Sequence, residues 1–293
     1  MTIPDRRPLD SRGFWLMLGL AMLFGANNLM IKVGNAGLQP AFFAGLRSVV
    51  AIVVLAGWMR ARGMAQRWDL WREGLLAGLL FSSEFLFLFI ALDHTSVVRA
   101  SSLFYAMPIW LALAAHFLFP GERLTARRAL GFALGFGGVV LTFAGRGGIG
   151  GGDLAGDLAA TVAGMSWAGI VVVSRKTRFG TATPEAQIFW QVLVSAGLLT
   201  ALAPLFGGPL VRDFDGTQAA LLLVQAVGVV CVGFVTWFWL IGRYYASTVA
   251  SFSFLTPVLS AVLGWLVLGE AVTWVTPIAL GLLVAGLVLI NRR

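Results

Sequence analysis

The stretch SVVRASSLFYAMPIWLALAAHFLFPGERLT, residues 96–125, decides the fold, because residues 247–273 repeat its pattern as STVASFSFLTPVLSAVLGWLVLGEAVT. Both stretches open on small polar residues, carry one proline within an apolar run, and close on Gly-Glu and a threonine. Pro108 in the first stretch therefore corresponds to Pro257 in the second. The repeat distance is roughly half of the 293 residues, so the sequence predicts two repeated halves.

The composition indicates a membrane protein rather than a soluble one. Hydrophobic residues make up 59% of the chain and charged residues 12%, and the mean hydropathy is +0.88. Soluble domains carry about 25% charged residues, so this chain has too few to cover a surface in water. The net charge of +8 comes from short basic clusters between apolar runs, which predicts a membrane topology and no nucleic-acid partner.

Long apolar runs recur along the whole chain, and each is long enough to form a transmembrane helix. Crossing the hydrocarbon core of a bilayer takes about 20 helical residues. On this measure we predict ten spans, numbered 1 to 10 in chain order. They cover residues 13–33, 40–59, 71–92, 97–119, 126–145, 154–174, 184–206, 218–241, 247–268 and 274–290. Barrel strands are excluded because the runs are too long and too evenly apolar.

The distribution of Lys and Arg predicts the orientation of the chain in the bilayer. Most of the 21 basic residues fall on the side that holds the N-terminus, so we expect both termini in the cytoplasm and a multi-pass protein of the cell inner membrane. The exceptions are Lys32, Arg47, Arg99, Arg146 and Arg212. We expect two domains, residues 1–145 and residues 153–293, joined by the glycine-rich tract 146–152.

Each domain holds five predicted spans. Because five is an odd number, the second copy of the repeat begins on the opposite side of the membrane from the first. Inverted repeats are typical of secondary transporters, which hold a small-molecule substrate near the bilayer midplane where the halves meet. One structural unit can then open toward either face, which gives alternating access. Some channels also carry inverted repeats, so a passive channel is the alternative. The oligomeric state is open.

The two matched prolines predict bends in spans 4 and 9. Each proline removes an intrahelical hydrogen bond and crowds the carbonyl four residues earlier. We interpret Pro108 and Pro257 as hinges that bend during transport. The alternative is that proline is simply commoner in membrane helices than in soluble ones.

Three charged residues inside predicted spans are candidates for function, because a charge near the bilayer centre costs at least about 2.5 kcal/mol. Glu84 lies mid-span and either binds a substrate amine, carries a coupling proton, or is protonated or paired for structural reasons. Lys32 either snorkels to the surface or presents a cation to a carboxylate at the cavity mouth. Arg47 lies deep in span 2, where pairing with a helix end or with the other half is the structural alternative.

Polar and aromatic residues inside the spans predict the lining of a central cavity between spans 1, 3, 4, 6, 8 and 9. Amide groups facing lipid would be costly, and aromatic rings suit an apolar or cationic solute. For any single tryptophan, core packing is the alternative. With Glu84, the predicted cavity residues are Asn27, Asn28, Tyr105, Trp167, Trp190, Gln191, Trp237 and Ser253.

Several segments resemble the EamA-type proteins of the drug/metabolite transporter superfamily. They are FGANNLMIK (24–32), PAFFAGLRSVVA (40–51), ALDHTSVVRASSLFYAMPIW (91–110), PGERLT (120–125) and GDLAATVAGMSWAGIVVVSRK (156–176). The resemblance covers nearly the whole chain, with Arg47 at the family arginine, and is nearest to amino-acid exporters of the YddG type. It implies ten helices in two inverted EamA repeats and transport of small metabolites without ATP. Glu84 is not part of this general pattern.

The sequence carries no catalytic signature, neither a HExxH or GxSxG motif nor a Walker P-loop. We therefore expect an all-α polytopic membrane protein with ten transmembrane helices as two inverted five-helix EamA repeats, and no enzyme, metal or cofactor. The expected function is export of small metabolites across the lipid bilayer by alternating access around a central cavity, with amino acids, aromatic ones included, as the expected cargo. The alternative cargo is a drug, a nucleotide sugar or a phosphate ester.

Overall fold

The computed structural model describes residues 10–119, 125–144, 153–244, 255–272 and 274–291, and helices dominate these residues. The ten predicted spans correspond to helices at Ser11–Gly37, Pro40–Ala61, Trp71–His94, Val97–Phe104 with Met107–Leu118, Ala126–Ala144, Leu154–Lys176, Pro184–Leu202, Gly216–Arg243, Leu255–Leu268 and Val275–Asn291. Seven of them are long and apolar enough to cross a membrane, and spans 5, 9 and 10 contribute shorter apolar helices. The predicted fold class is confirmed. The joint at 146–152 lies outside the described residues.

Side-chain caps explain where several spans begin. Asp10, Gln39, Ser96, Asp153 and Thr183 each precede a helix and accept a hydrogen bond from a backbone N–H of its first turn. A proline follows directly after Gln39 and after Thr183, where its missing N–H costs nothing. Span 8 departs from regular geometry, since Val224–Phe234 forms a π-helix.

Contacts at the helix ends show that the second half is inverted. Span 1 ends beside span 3, because Lys32 Nζ donates to the carbonyls of Leu92 (3.1 Å) and Thr95 (2.6 Å). Span 6 begins at the same place, because Asp153 N donates to the carbonyl of His94 at 3.3 Å. Spans 1 and 6, the first helices of the two halves, therefore run in opposite directions. We call the side where span 1 begins the N-terminal face and the other side the opposite face.

The helix packing has a pseudo-twofold arrangement. Exchanging each span for its counterpart in the other half turns the packed pair 1·9 into the packed pair 6·4, and 3·7 into 8·2. The pairs 2·7, 4·9 and 5·10 map onto themselves. These three self-mapping pairs, 2·7, 4·9 and 5·10, join the two halves across the pseudo-twofold axis.

Candidate functional site

Span 4 is broken at the centre of the bundle. Its first helix ends at Phe104 and its second begins at Met107, with Tyr105 at φ −76°, ψ 3° and Ala106 at φ −70°, ψ −2° between them. Pro108 has no N–H to give to the Phe104 carbonyl four residues earlier. Gly164 of span 6 packs against that carbonyl so closely that a Cβ there would lie 2.8 Å from the Phe104 oxygen. The bend predicted at Pro108 is thus a break, and its role as a hinge stays a prediction.

Buried polar side chains join spans 1, 4 and 9 at this break. Asn28 Nδ2 donates to Ser101 Oγ at 2.8 Å, and the Tyr105 hydroxyl donates to the carbonyl of Phe24 at 3.2 Å. Ser260 of span 9 donates to the Gly25 carbonyl at 2.9 Å. The side-chain oxygens of Asn27 and Asn28 are buried, and no described residue donates a hydrogen bond to them. Two amide acceptors therefore remain available beside the break.

An aromatic group extends from the break toward spans 6 and 8. The Trp167 ring stacks on Phe104 at 5.1 Å between centroids and meets the edge of Tyr105 at 6.0 Å. Trp237 lies 6.1 Å from Trp167 and is likewise only half-buried, although both lie inside the bundle. Trp239 points the other way and is 36% exposed. The group presents ring faces and edges that can contact an aromatic or cationic solute.

Two opposite charges are buried next to this group. Glu84 is 2% exposed and Arg47 is fully buried. The Arg47 guanidinium lies over the Phe85 ring at 3.8 Å, and its three nitrogens find no hydrogen-bond acceptor among the described residues. Glu84 precedes Phe85 in span 3, yet its carboxylate forms no ion pair with Arg47 within 4.0 Å. Ser83, the residue before Glu84, bonds Ser166 at 2.9 Å, which ties span 3 to span 6 beside Trp167.

The structure places the other predicted site residues elsewhere. Lys32 donates hydrogen bonds to the last carbonyls of span 3. Trp190 donates to the Arg67 carbonyl at 3.2 Å and packs against Trp68 at 5.3 Å, near the N-terminal face, while Gln191 Nε2 donates to Gln187 of its own helix at 3.2 Å. Pro257 is buried in span 9, near the start of the described helix. Ser253 lies outside the described residues.

Two contacts that tie helices together at the opposite face were not predicted from the sequence. Arg99 Nε donates to Asp157 Oδ1 at 3.2 Å and Arg99 Nη2 bonds Asp157 Oδ2, with the Asp157 side chain fully buried. Glu270, at the end of span 9, accepts hydrogen bonds from the backbone N–H groups of Val97 (2.7 Å) and Val98 (3.1 Å) at the start of span 4. Arg99 did stand out in sequence as an exception to the charge bias, but nothing pointed to its partner 58 residues away. The repeated Gly-Glu marked Glu270 without indicating what it contacts.

Metal chemistry finds no support in the described part of the chain. Within those residues, no group of three or more His, Cys, Asp or Glu side chains could hold a metal ion.

Comparisons with known proteins match nearly the whole chain. The sequence profile of the EamA-like transporter family matches residues 11–144 and 154–292. The uncharacterized transporter YoaV of Bacillus subtilis is 26% identical over 267 residues, covering 88% of this chain and 90% of YoaV. The aromatic amino acid exporter YddG of Ancylobacter novellus is 28% identical over 262 residues (86% and 88%), and a probable amino-acid metabolite efflux pump of Escherichia coli is 27% identical over 288 residues (93% and 92%). A solved crystal structure that is 26% identical superposes with a TM-score of 0.66 and covers 96% of both chains.

Proposed function

Because this chain belongs to the EamA-like transporter family, we propose that it exports amino acids and related small metabolites from the cytoplasm by alternating access. It is a multi-pass membrane protein of a transporter family, and its expected partners are a small-molecule substrate and the lipid bilayer. We assign the N-terminal face to the cytoplasm and the bilayer to the cell inner membrane, following the bias of Lys and Arg. No enzymatic step is part of this proposal.

The observation that carries the proposal is the break in span 4, which brings buried polar groups and half-buried tryptophans together at the centre of an inverted repeat. Asn28, Tyr105 and Trp167 meet there from spans 1, 4 and 6. Substrate sites of inverted-repeat transporters lie at such interrupted helices near the bilayer midplane. Two of the named relatives are amino-acid exporters or efflux pumps, which supports the same class of cargo here.

The ties at the opposite face favour a carrier over a passive channel. The Arg99–Asp157 ion pair joins span 4 to span 6, and Glu270 joins span 9 to the start of span 4. A solute leaving by that face has to pass between these helix ends, so both ties must break and re-form in each cycle. Spans 4 and 9 then move apart at the opposite face, and we place the pivots at Pro108 and Pro257.

An anionic cargo such as a nucleotide sugar fits the charges less well. A phosphate-bearing solute calls for two or more cations facing the site. Lys32 binds the carbonyls that end span 3, so within the described ranges Arg47 is the fully buried cation that could face such a solute.

Counterflow in liposomes tests the proposal. The purified chain is reconstituted with unlabelled amino acid inside, and uptake of the radiolabelled form is followed with and without a pH gradient. A carrier gives saturable uptake and counterflow, whereas a channel gives neither. Trp167→Ala should lower counterflow about two- to tenfold, since an aromatic contact contributes about 0.5–1.5 kcal/mol beyond its buried area. Trp239→Ala, on the exposed side of span 8, is the matched control. Flux that rises linearly with concentration, or absence of counterflow for every amino acid, contradicts the proposal.

A further inference from the structure

Arg47 and Glu84 form an unusual pair, because both are buried in membrane spans without a counter-ion in contact. A guanidinium left without acceptors in a protein interior is costly, and so is a lone carboxylate. Arg47 stacks on Phe85, the residue that follows Glu84 in span 3, but no Glu84 oxygen lies within 4.0 Å of an Arg47 nitrogen. Each therefore has hydrogen-bonding capacity that the other does not use.

The neighbouring charged groups are engaged elsewhere. Asp157 is held by Arg99, and Glu270 is held by the N–H groups that begin span 4. Lys32 is bound to two carbonyls, and Arg212 bonds Asp93 at 3.0 Å. Among the described residues, Arg47 and Glu84 are thus the two buried charged side chains for which the structure shows no hydrogen bond.

The rings that contact Arg47 leave its N–H groups without a hydrogen-bond acceptor among the described residues. Phe85 and Phe89 cover the guanidinium at 3.8 Å and 5.1 Å from their ring centroids. Ring contacts use the face of the guanidinium, while its N–H groups lie in the plane, where a carboxylate accepts two of them side by side. Arg47 is therefore held in position by aromatic rings with its donors unpaired.

We infer that Arg47 and Glu84 are the two poles of a site for a zwitterion, in which Arg47 binds the α-carboxylate of an amino acid and Glu84 binds its α-ammonium group. This inference rests on the proposed function and specifies its substrate class. The side chain of the solute lies against Trp167, whose neighbour Ser166 is tied to Ser83 beside Glu84. A zwitterion neutralises both buried charges at once, whereas a simple amine or a simple carboxylate leaves one pole unpaired.

The competing role for Glu84 is that of a proton carrier, with Arg47 purely structural. A proton carrier responds to an imposed pH gradient and is indifferent to the charged groups of the solute. A zwitterion site rejects any analogue that lacks one of the two charges, because one buried protein charge is then left unsatisfied. Selectivity among analogues therefore separates the two roles.

Competition in the counterflow assay provides the test. Phenylalanine, phenylalaninol (no carboxylate) and N-acetylphenylalanine (no ammonium) share one ring and differ only at the two charged groups. In the unaltered chain, each analogue should compete at least about tenfold more weakly than phenylalanine. If phenylalanine gives no counterflow, the same three forms are made from the amino acid that does.

Two variants assign the poles separately. Arg47→Gln should erase the preference over phenylalaninol and keep the preference over N-acetylphenylalanine, and Glu84→Gln should do the reverse. Arg60→Gln and Glu73→Gln, at the ends of the same spans, are the matched controls. If Arg47→Gln does not fold, Arg47→Lys retains the charge without the paired donors and should weaken carboxylate selectivity.

The outcomes distinguish the inference from the proposed function. Absence of counterflow with every amino acid overturns both. Normal counterflow in which both analogues compete as well as the parent overturns the zwitterion site and leaves amino-acid export standing. Variants that lower flux without changing the order of the three ligands likewise overturn it, since a structural role affects all three equally.

Discussion

Asp157→Asn should favour opening of the bundle at the opposite face, because it removes one charge from the buried Arg99–Asp157 pair and keeps the shape of the side chain. Arg99 keeps 12% of its side chain exposed and Asp157 none. Breaking a buried pair by removing one partner costs about 3–5 kcal/mol. Since asparagine still offers one acceptor and Arg99 retains some contact with solvent, we expect about 2–3 kcal/mol here. That shifts the equilibrium between the closed and open opposite face by roughly 30- to 150-fold.

Cysteine accessibility measures this shift directly. In a Cys231→Ser background, Ser102→Cys places a reporter in span 4, where the native hydroxyl bonds only the Val98 carbonyl of its own helix at 2.8 Å. A membrane-impermeant thiol reagent added from the opposite face should label the parent slowly and Asp157→Asn at least about tenfold faster. The thermal midpoint in detergent should fall as well, because the unfolded chain does not contain the pair.

Two controls make the result interpretable. Asp69→Asn removes a carboxylate from the exposed pairs with Arg67 and Arg178 and should change neither labelling nor the thermal midpoint. Arg99→Gln combined with Asp157→Asn leaves two neutral partners that can bond each other, so part of the lost stability should return. Parent-like labelling in Asp157→Asn, together with an unchanged midpoint, would show that the pair does not hold the opposite face shut.

Further perturbations address the packing and the hinges. Gly164→Ala puts a Cβ 2.8 Å from a carbonyl oxygen of span 4 and should cost about 1–3 kcal/mol by thermal unfolding, whereas Gly197→Ala, with open space around it, should not destabilise; equal midpoints would contradict the close contact. Glu270→Gln should lower the free energy of unfolding by about 0.5–1 kcal/mol, because it removes a negative charge from a helix N-terminus; a salt-independent effect would argue against this cause. Alanine at both Pro108 and Pro257 should slow counterflow while leaving the thermal midpoint in place, and unchanged transport would refute the hinges.

The architecture could be predicted because membrane constraints act on single segments. The length of an apolar run decides whether it spans, and the parity of spans per repeat decides whether the second half is inverted. The matched prolines marked the position of the break in span 4, but they did not indicate that Gly164 of span 6 packs against the Phe104 carbonyl there.

Contacts between distant segments could not be predicted from local patterns. Lys32 and Arg47 both read as lone cations in apolar surroundings, yet one binds carbonyls of span 3 and the other stacks on Phe85. Trp190 and Trp167 read alike in their helices, but Trp190 packs near the N-terminal face. The π-helical geometry of Val224–Phe234 likewise had no signal in sequence.

The pseudo-twofold relation between the packed spans has a consequence for how such a protein can evolve. Spans 2 and 5 meet their own counterparts across the axis, so each of these contacts is isologous in kind. Asp10 and Asp153 cap corresponding helices at opposite faces. Asp10 contacts Tyr244 and Asp153 contacts His94, as the same pseudo-twofold relation requires. A five-helix precursor inserted in both orientations would therefore already possess matching surfaces for self-association, and fusing two copies would free each one to acquire side chains, such as Asp157, that its twin lacks.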